Sequence, residues 1–157
     1  MIIVVLGAPG SGKTTVIEPL AALLPRHVLL DWDAFMEPAA ALAGRDIRAD
    51  PETWPAYRQL VQRVATSVAS VPVVLLGVAT PDELDGLQIR AWVLLDCSDE
   101  ERRRRLHADG RGRDAIGAVS DAEHCRSLGL PVIDTTARTP ALIAADLAHF
   151  VVRAEGQ

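Results

Sequence analysis

Eight consecutive residues near the start of the chain, Gly7-Ala8-Pro9-Gly10-Ser11-Gly12-Lys13-Thr14, match the pattern G-x-x-x-x-G-K-[ST] at every fixed position. Residues of these types at this spacing do one kind of chemistry. The glycines let backbone N–H groups crowd round an anion, the lysine reaches β- and γ-phosphates, and the final hydroxyl serves a magnesium ion. Lys13 is the only lysine in the chain, against fifteen arginines. Arginine is therefore used wherever either cation would serve, and lysine is kept where a compact ammonium must fit between phosphates. The segment implies a nucleoside triphosphate site in which Gly7, Ala8, Pro9, Gly10, Ser11, Gly12, Lys13, Thr14 and Thr15 surround the phosphates.

Two carboxylates form the next constellation. Val28-Leu29-Leu30 ends in Asp31-Trp32-Asp33, and residues two apart on an extended segment point the same way. A magnesium ion beside Thr14 needs an acid, directly or through water, and a second acid suits removal of a proton from an acceptor hydroxyl. Either aspartate has an alternative use as a cap for the helix that follows. Asp96 is a further acid, placed after a later apolar run. From Ser98 to Arg113 the chain then carries Arg102, Arg103, Arg104, Arg105, Arg111 and Arg113. Four consecutive arginines on a helix spread right round its axis, and Asp99, Glu100 and Glu101 lie close enough to pair with several of them. A solvated surface position is expected for Arg102 and Arg103. Arg105, next to Leu106, is the candidate for an inward role.

These groups need elements to hold them. Apolar runs suited to buried strands recur at Ile2–Leu6, His27–Leu30, Val71–Leu76, Ala91–Leu95 and Pro131–Ile133. Between them lie helix-start signals. Asp50-Pro51 and Thr139-Pro140 place a cap residue before proline, and Thr80 with Glu83, Ser98 with Glu101 and Ser120 with Glu123 have capping-box spacing. Thr14 to Leu24 reads as the helix after the glycine-rich turn, with a kink expected at Pro19. Trp54, Tyr57, Val61, Val64 and Val68 form one stripe of a helix after Asp50. Strands alternating with helices predict an α/β fold, a parallel five-stranded sheet with helices on both faces, in one domain over residues 1–157. In such a sheet ligands bind beyond the carboxyl ends of the strands, where Gly7–Thr14, Asp31–Asp33, Gly77–Thr80, Cys97–Asp99 and Asp134–Thr136 fall.

Composition narrows the function classes. The net charge is −5, so no basic field recruits a long nucleic acid. The two cysteines, Cys97 and Cys125, suggest buried thiols and not a disulfide framework or metal site. The opening apolar run is too short for a signal peptide or membrane span, so a cytoplasmic protein is expected. The guanine-reading motif Asn-Lys-x-Asp is impossible in a chain with no asparagine. The four histidines are scattered and form no ligand pattern.

The P-loop, the Asp-x-Asp after the second strand and the five-strand rhythm resemble the small P-loop kinases. That group includes shikimate kinase, gluconate kinase, chloramphenicol phosphotransferase and the adenylate-kinase-like proteins, within the AAA-family ATP-binding proteins of kinase type. The resemblance covers nearly the whole chain. It implies ATP and magnesium as cofactors, with Asp33 as catalytic base or ligand of the acceptor hydroxyl and Asp31 as a ligand of magnesium water. Leu94-Leu95-Asp96-Cys97-Ser98 running into Arg105-Leu106 resembles the strand and lid helix of these kinases, which would set Arg105 against adenine or phosphates. A lid around 102–117 would carry Gly110-Arg111-Gly112-Arg113, with Arg111 or Arg113 swinging onto the γ-phosphate. Asp134-Thr135-Thr136 resembles their adenine-side loop. The segment around 34–58 would close over the acceptor, with Arg45, Arg48 and Arg58 as anion-holding candidates and Trp54 and Gly77 beside the substrate. The expected activity is transfer of the γ-phosphoryl of ATP to a small-molecule hydroxyl or phosphate. The alternative is a stand-alone ATPase module, in which Asp96 would position water.

Overall fold

The computed structural model describes residues 1–156. Five strands, β1 (Ile2–Leu6), β2 (Val28–Asp31), β3 (Val73–Gly77), β4 (Ile89–Asp96) and β5 (Val132–Asp134), form one sheet in the order β2-β3-β1-β4-β5. Every pairing is parallel. Six α-helices connect and cover them: α1 (Lys13–Leu23), α2 (Met36–Ala43), α3 (Trp54–Ser67), α4 (Asp99–Ala108), α5 (Ala115–Ser127) and α6 (Pro140–Glu155). This is the α/β sheet expected of the apolar runs.

Period-two alternation sorts β1 between two cores. Ile2 and Val4 face a cluster with Trp32, Tyr57, Val61 and Leu75 under α2 and α3. Ile3 and Val5 face the opposite cluster, with Val16 and Leu20 of α1 and Leu147 and Val151 of α6. A strand buried on both faces must be apolar at every position, which is why β1 and β3 read as unbroken runs.

The chain reverses from β1 to α1 through Gly12, which caps the helix at φ 95°. α1 then runs unbroken through Pro19 to Leu23. Two capping expectations hold locally: Ser98 accepts a bond from the N–H of Glu101 at 3.2 Å, and Thr139 from Leu142 at 3.4 Å. The Asp50 cap forms as well, but onto a single 3-10 turn (Pro51–Thr53) ahead of α3. Two others need correction. Ser120 and Glu123 lie in the middle of α5, which begins five residues earlier at Ala115. Thr80 and Glu83 form only half of a box: Glu83 accepts from the Thr80 N–H at 3.0 Å, but the Glu83 N–H donates to the Thr80 backbone carbonyl and not to its hydroxyl, and only turns follow before Gly86 at φ 92°. Among the described residues no helix is long and apolar enough to cross a membrane.

Candidate functional site

At the carboxyl end of β1 a cleft of about 410 Å³ opens between α1 and α4. Gly10, Gly12, Lys13, Thr14 and Thr15 line one wall, with Arg105 and Arg111 on another and Asp33 at the end nearest β2. Lys13 is buried, and its Nζ donates to the Gly7 and Ala8 carbonyls of its own loop. Burial pushes its ammonium below the usual lysine range, while the Asp33 and Asp31 carboxylates act the other way. An anion arriving in the loop would restore the charge balance that burial has upset.

The outer side of the loop is bolted down by α4. Arg102 is fully buried and donates to the Pro9 carbonyl at 2.6 Å and to Asp96. Arg105, one helical turn on, donates to the Gly10 carbonyl at 3.2 Å and to the Thr135 hydroxyl and carbonyl at 3.0 and 2.6 Å. Thr135, itself buried, donates to the Ser11 carbonyl at 2.9 Å. Three successive carbonyls of the loop are thus held from behind, by Arg102, Arg105 and Thr135, beside a cleft that takes anions through N–H groups. The structure overturns the surface position expected of Arg102. Its signal was present in the sequence, because Arg102 and the buried Leu106 stand four apart on one stripe of α4. Arg103 is exposed as expected, and Arg104 pairs with Glu101.

Asp96 is committed to this scaffold. It receives Arg102 on one side and Arg126 of α5 on the other, and Arg126 also bonds Asp99 at 2.8 Å and the Cys97 carbonyl at 3.0 Å. Cys97 and Cys125 are buried, reduced and raised in pKa by burial, which makes them inert as nucleophiles.

Asp31 ends β2, and Asp33 opens a single 3-10 turn leading into α2. One Asp31 oxygen caps that turn by accepting the Asp33 N–H at 3.0 Å. Burial raises the Asp31 carboxyl above the usual aspartate value. Asp33 lines the P-loop cleft and also a second cleft, walled by α2 and by residues 44–48. It is the one residue common to both linings.

Other candidates fall elsewhere. Arg58 lines neither cleft. Trp54 donates from its indole to Glu83 at 2.7 Å and packs against Trp32 and Tyr57 with ring centroids 5.9 and 5.8 Å away. Gly77 has a reason unrelated to substrate approach: a Cβ there would come within 2.7 Å of the Trp32 Cβ. Arg111 lines the P-loop cleft and is bonded to Asp114 at 3.0 Å, while Arg113 is exposed on the 3-10 turn (Gly112–Asp114) before α5. The Thr136 hydroxyl accepts the Ser98 N–H at 2.9 Å and so ties the β5–α6 loop to the start of α4.

Among the described residues no three His, Cys, Asp or Glu side chains gather to hold a metal ion. Magnesium does not need such a cage, because it takes one or two protein oxygens beside phosphates and water. The exposed Thr14 hydroxyl lines the P-loop cleft and fits that requirement, whereas Asp31 is not part of that lining and would reach such an ion through water.

A family model described as "AAA domain" matches residues 3–126. None of the curated proteins matches the sequence. Among solved structures, shikimate kinase from Acinetobacter baumannii in complex with shikimate superimposes with a TM-score of 0.68 at 19% identity, over 97% of this chain and 93% of that one. A gluconokinase from Sinorhizobium meliloti gives 0.68 at 23% identity, over 98% and 93%. A sugar kinase from Janibacter sp. gives 0.64 at 20% identity, over 96% and 94%. At these identities the likeness is one of fold, which is the fold of small P-loop kinases.

Proposed function

The chain belongs to the AAA domain family, and from that premise we propose that it is an ATP- and magnesium-dependent phosphotransferase acting on a small molecule. The observation that carries the reading is the position of Asp33, a carboxylate shared by the P-loop cleft and a second cleft. A nucleotide triphosphate in the first cleft and an acceptor in the second would meet at that residue.

In this reading Asp33 takes the proton of the acceptor hydroxyl as its oxygen attacks the γ-phosphorus, and the bond to the β–γ bridging oxygen breaks. Lys13 leaves its loop carbonyls to hold the phosphates, while the Gly7–Thr15 segment surrounds them with those backbone N–H groups that it does not itself use. Thr14 and Asp31 would hold magnesium, which when bound neutralises phosphate charge. Arg105 and Thr135 keep the loop in its receptive shape, with Thr136 bracing the loop on the adenine side. Of the residues around 102–117, those in α4 are held to the P-loop through Arg102 and Arg105, so lid movement falls to the stretch after α4, which would bring Arg111 or Arg113 over the γ-phosphate and exclude water. Residues around 34–58 form the acceptor side. The competing reading, a stand-alone ATPase using Asp96 on water, is disfavoured by the two arginines that occupy Asp96.

Asp33→Asn tests this reading. Phosphoryl transfer, followed by phosphorus NMR across a metabolite panel, is expected to fall by about 10²–10⁴-fold. ATP affinity by calorimetry should stay within roughly threefold, since the substitution leaves the P-loop untouched. Equal ADP release with and without every acceptor would sink the kinase reading, and so would undiminished transfer by the variant.

A further inference from the structure

The turn that carries the two aspartates is pinned from another element. Leaving β2, the chain bends at Trp32, whose φ of −52° and ψ of −45° are helical where the strand before it is extended. The Trp32 N–H still belongs to the sheet, donating to the Leu76 carbonyl at 2.8 Å. Its carbonyl lies in the same planar peptide unit as the Asp33 N–H. That unit is gripped at both ends. The N–H donates to Asp31 at 3.0 Å, and the carbonyl accepts the Tyr57 hydroxyl of α3. The other donor to that carbonyl among the described residues, the Phe35 N–H, stands off at 3.4 Å. Tyr57 is itself held in place. It is buried, and its ring packs edge-on against Trp32 with centroids 5.5 Å apart and planes at 86°. Burial, with the Asp33 and Asp31 charges, keeps its phenol above the usual tyrosine value, so it remains a donor. Rotation of this one peptide plane would swing Asp33 away from the clefts, and the two grips oppose it.

We propose that Tyr57 is a positioning residue for Asp33: by holding the Trp32 carbonyl, its hydroxyl keeps the Asp33 carboxylate aimed where the two clefts meet. The proposal rests on the phosphotransferase reading for the chemistry at Asp33 and on the hydrogen bonds alone for the orientation. Tyr57 lines neither cleft, so its influence on a reaction there has to pass through the backbone of the turn. Such influence is large where geometry decides the rate, since a misplacement of about 1 Å can cost on the order of a hundredfold.

Tyr57→Phe keeps the ring and removes the donor. Hydrogen exchange by NMR, in the full chain without ligands, reads the orientation directly. The Asp33 amide is expected to exchange about tenfold faster in the variant, with the amides of α1 and α6 within roughly twofold. An unchanged Asp33 rate, or an equal rise at amides throughout the chain, overturns the proposal. Transfer gives the second reading, with ATP, magnesium and a panel of hydroxyl-bearing metabolites that includes shikimate and gluconate. The single-turnover rate should fall about tenfold in Tyr57→Phe, with the KM for ATP within roughly threefold. That loss should vanish once the Asp33 carboxylate is gone. Asp33→Asn combined with Tyr57→Phe is expected to transfer within about twofold of Asp33→Asn alone. A full tenfold loss in that background means that Tyr57 acts by another route, and the positioning role is overturned. If no acceptor is phosphorylated, the phosphotransferase reading falls instead, and the exchange rates still decide how Asp33 is held.

Discussion

Arg102 shows how one side chain can serve a site it never enters. Its guanidinium is fully buried, a costly position that requires its charge to be matched, and its two terminal nitrogens are bonded while its Nε has no partner. Asp96 matches the charge, and the Pro9 carbonyl takes a donor, so scaffold and P-loop share one ion pair. Removing one partner of a buried pair leaves the other uncompensated, here softened because Arg126 still holds Asp96. Arg102→Met is therefore expected to cost about 2–4 kcal/mol, a fall in Tm of roughly 5–12 °C by scanning calorimetry. It should also weaken ATP binding, because the Pro9 carbonyl is freed. An unchanged Tm would mean that the P-loop is held by other contacts. The lone lysine makes the complementary point. Lys13 has been placed where its own charge is disfavoured, a cost that phosphate binding relieves.

At the scale of elements, α4 works as a clasp on the cleft. Its first turn carries Asp99, Glu100 and Glu101, which suit the positive end of the helix dipole. Arg104 and then Arg105 grip Glu101 and hold its carboxyl down to about 2. Because this acid titrates lower in the folded chain than in the unfolded one, its stabilisation is whole above pH 4.5 and is lost as pH falls towards about 2. Glu101→Gln should lower Tm by roughly 2–4 °C at pH 6, a modest figure because solvent screens the pair. The two Tm curves should then converge below pH 4.5, and a constant gap down to pH 2 would contradict the account. The central strands β1 and β3 were legible because burial on both faces leaves no room for polar interruption. The Gly7–Thr14 motif and the Asp31–Asp33 pair were legible because their spacing is local. The reach of Arg58 and the packing of Gly77 were not. Arg58 lines neither cleft, and Gly77 answers to Trp32, far away in sequence. Ser120 and Glu123 misled because three-residue spacing recurs inside helices as often as at their starts.

For the molecule as a whole, two clefts lie at one edge of the sheet, and neither is filled by the chain's own side chains. Ligand binding should therefore stabilise the fold by mass action. A magnesium–ATP analogue at a hundred times its Kd is expected to add about 2.7 kcal/mol, a rise in Tm of roughly 5–10 °C. A thermal-shift series showing no concentration dependence would rule out nucleotide binding to the native state. The aromatic trio behind the carboxylate pair has a further consequence. Only three indoles exist in the chain, and two of them, Trp32 and Trp54, lie beside Tyr57 next to the chain reversal that carries Asp31 and Asp33. Trp32 is wholly sealed from water and its ring nitrogen has no partner, whereas Trp54 is only half-buried and tethered to Glu83. The protein thus carries its own optical probe, with two of its three indoles packed beside the turn that carries Asp31 and Asp33, where their emission is expected to change when ligand fills the neighbouring clefts.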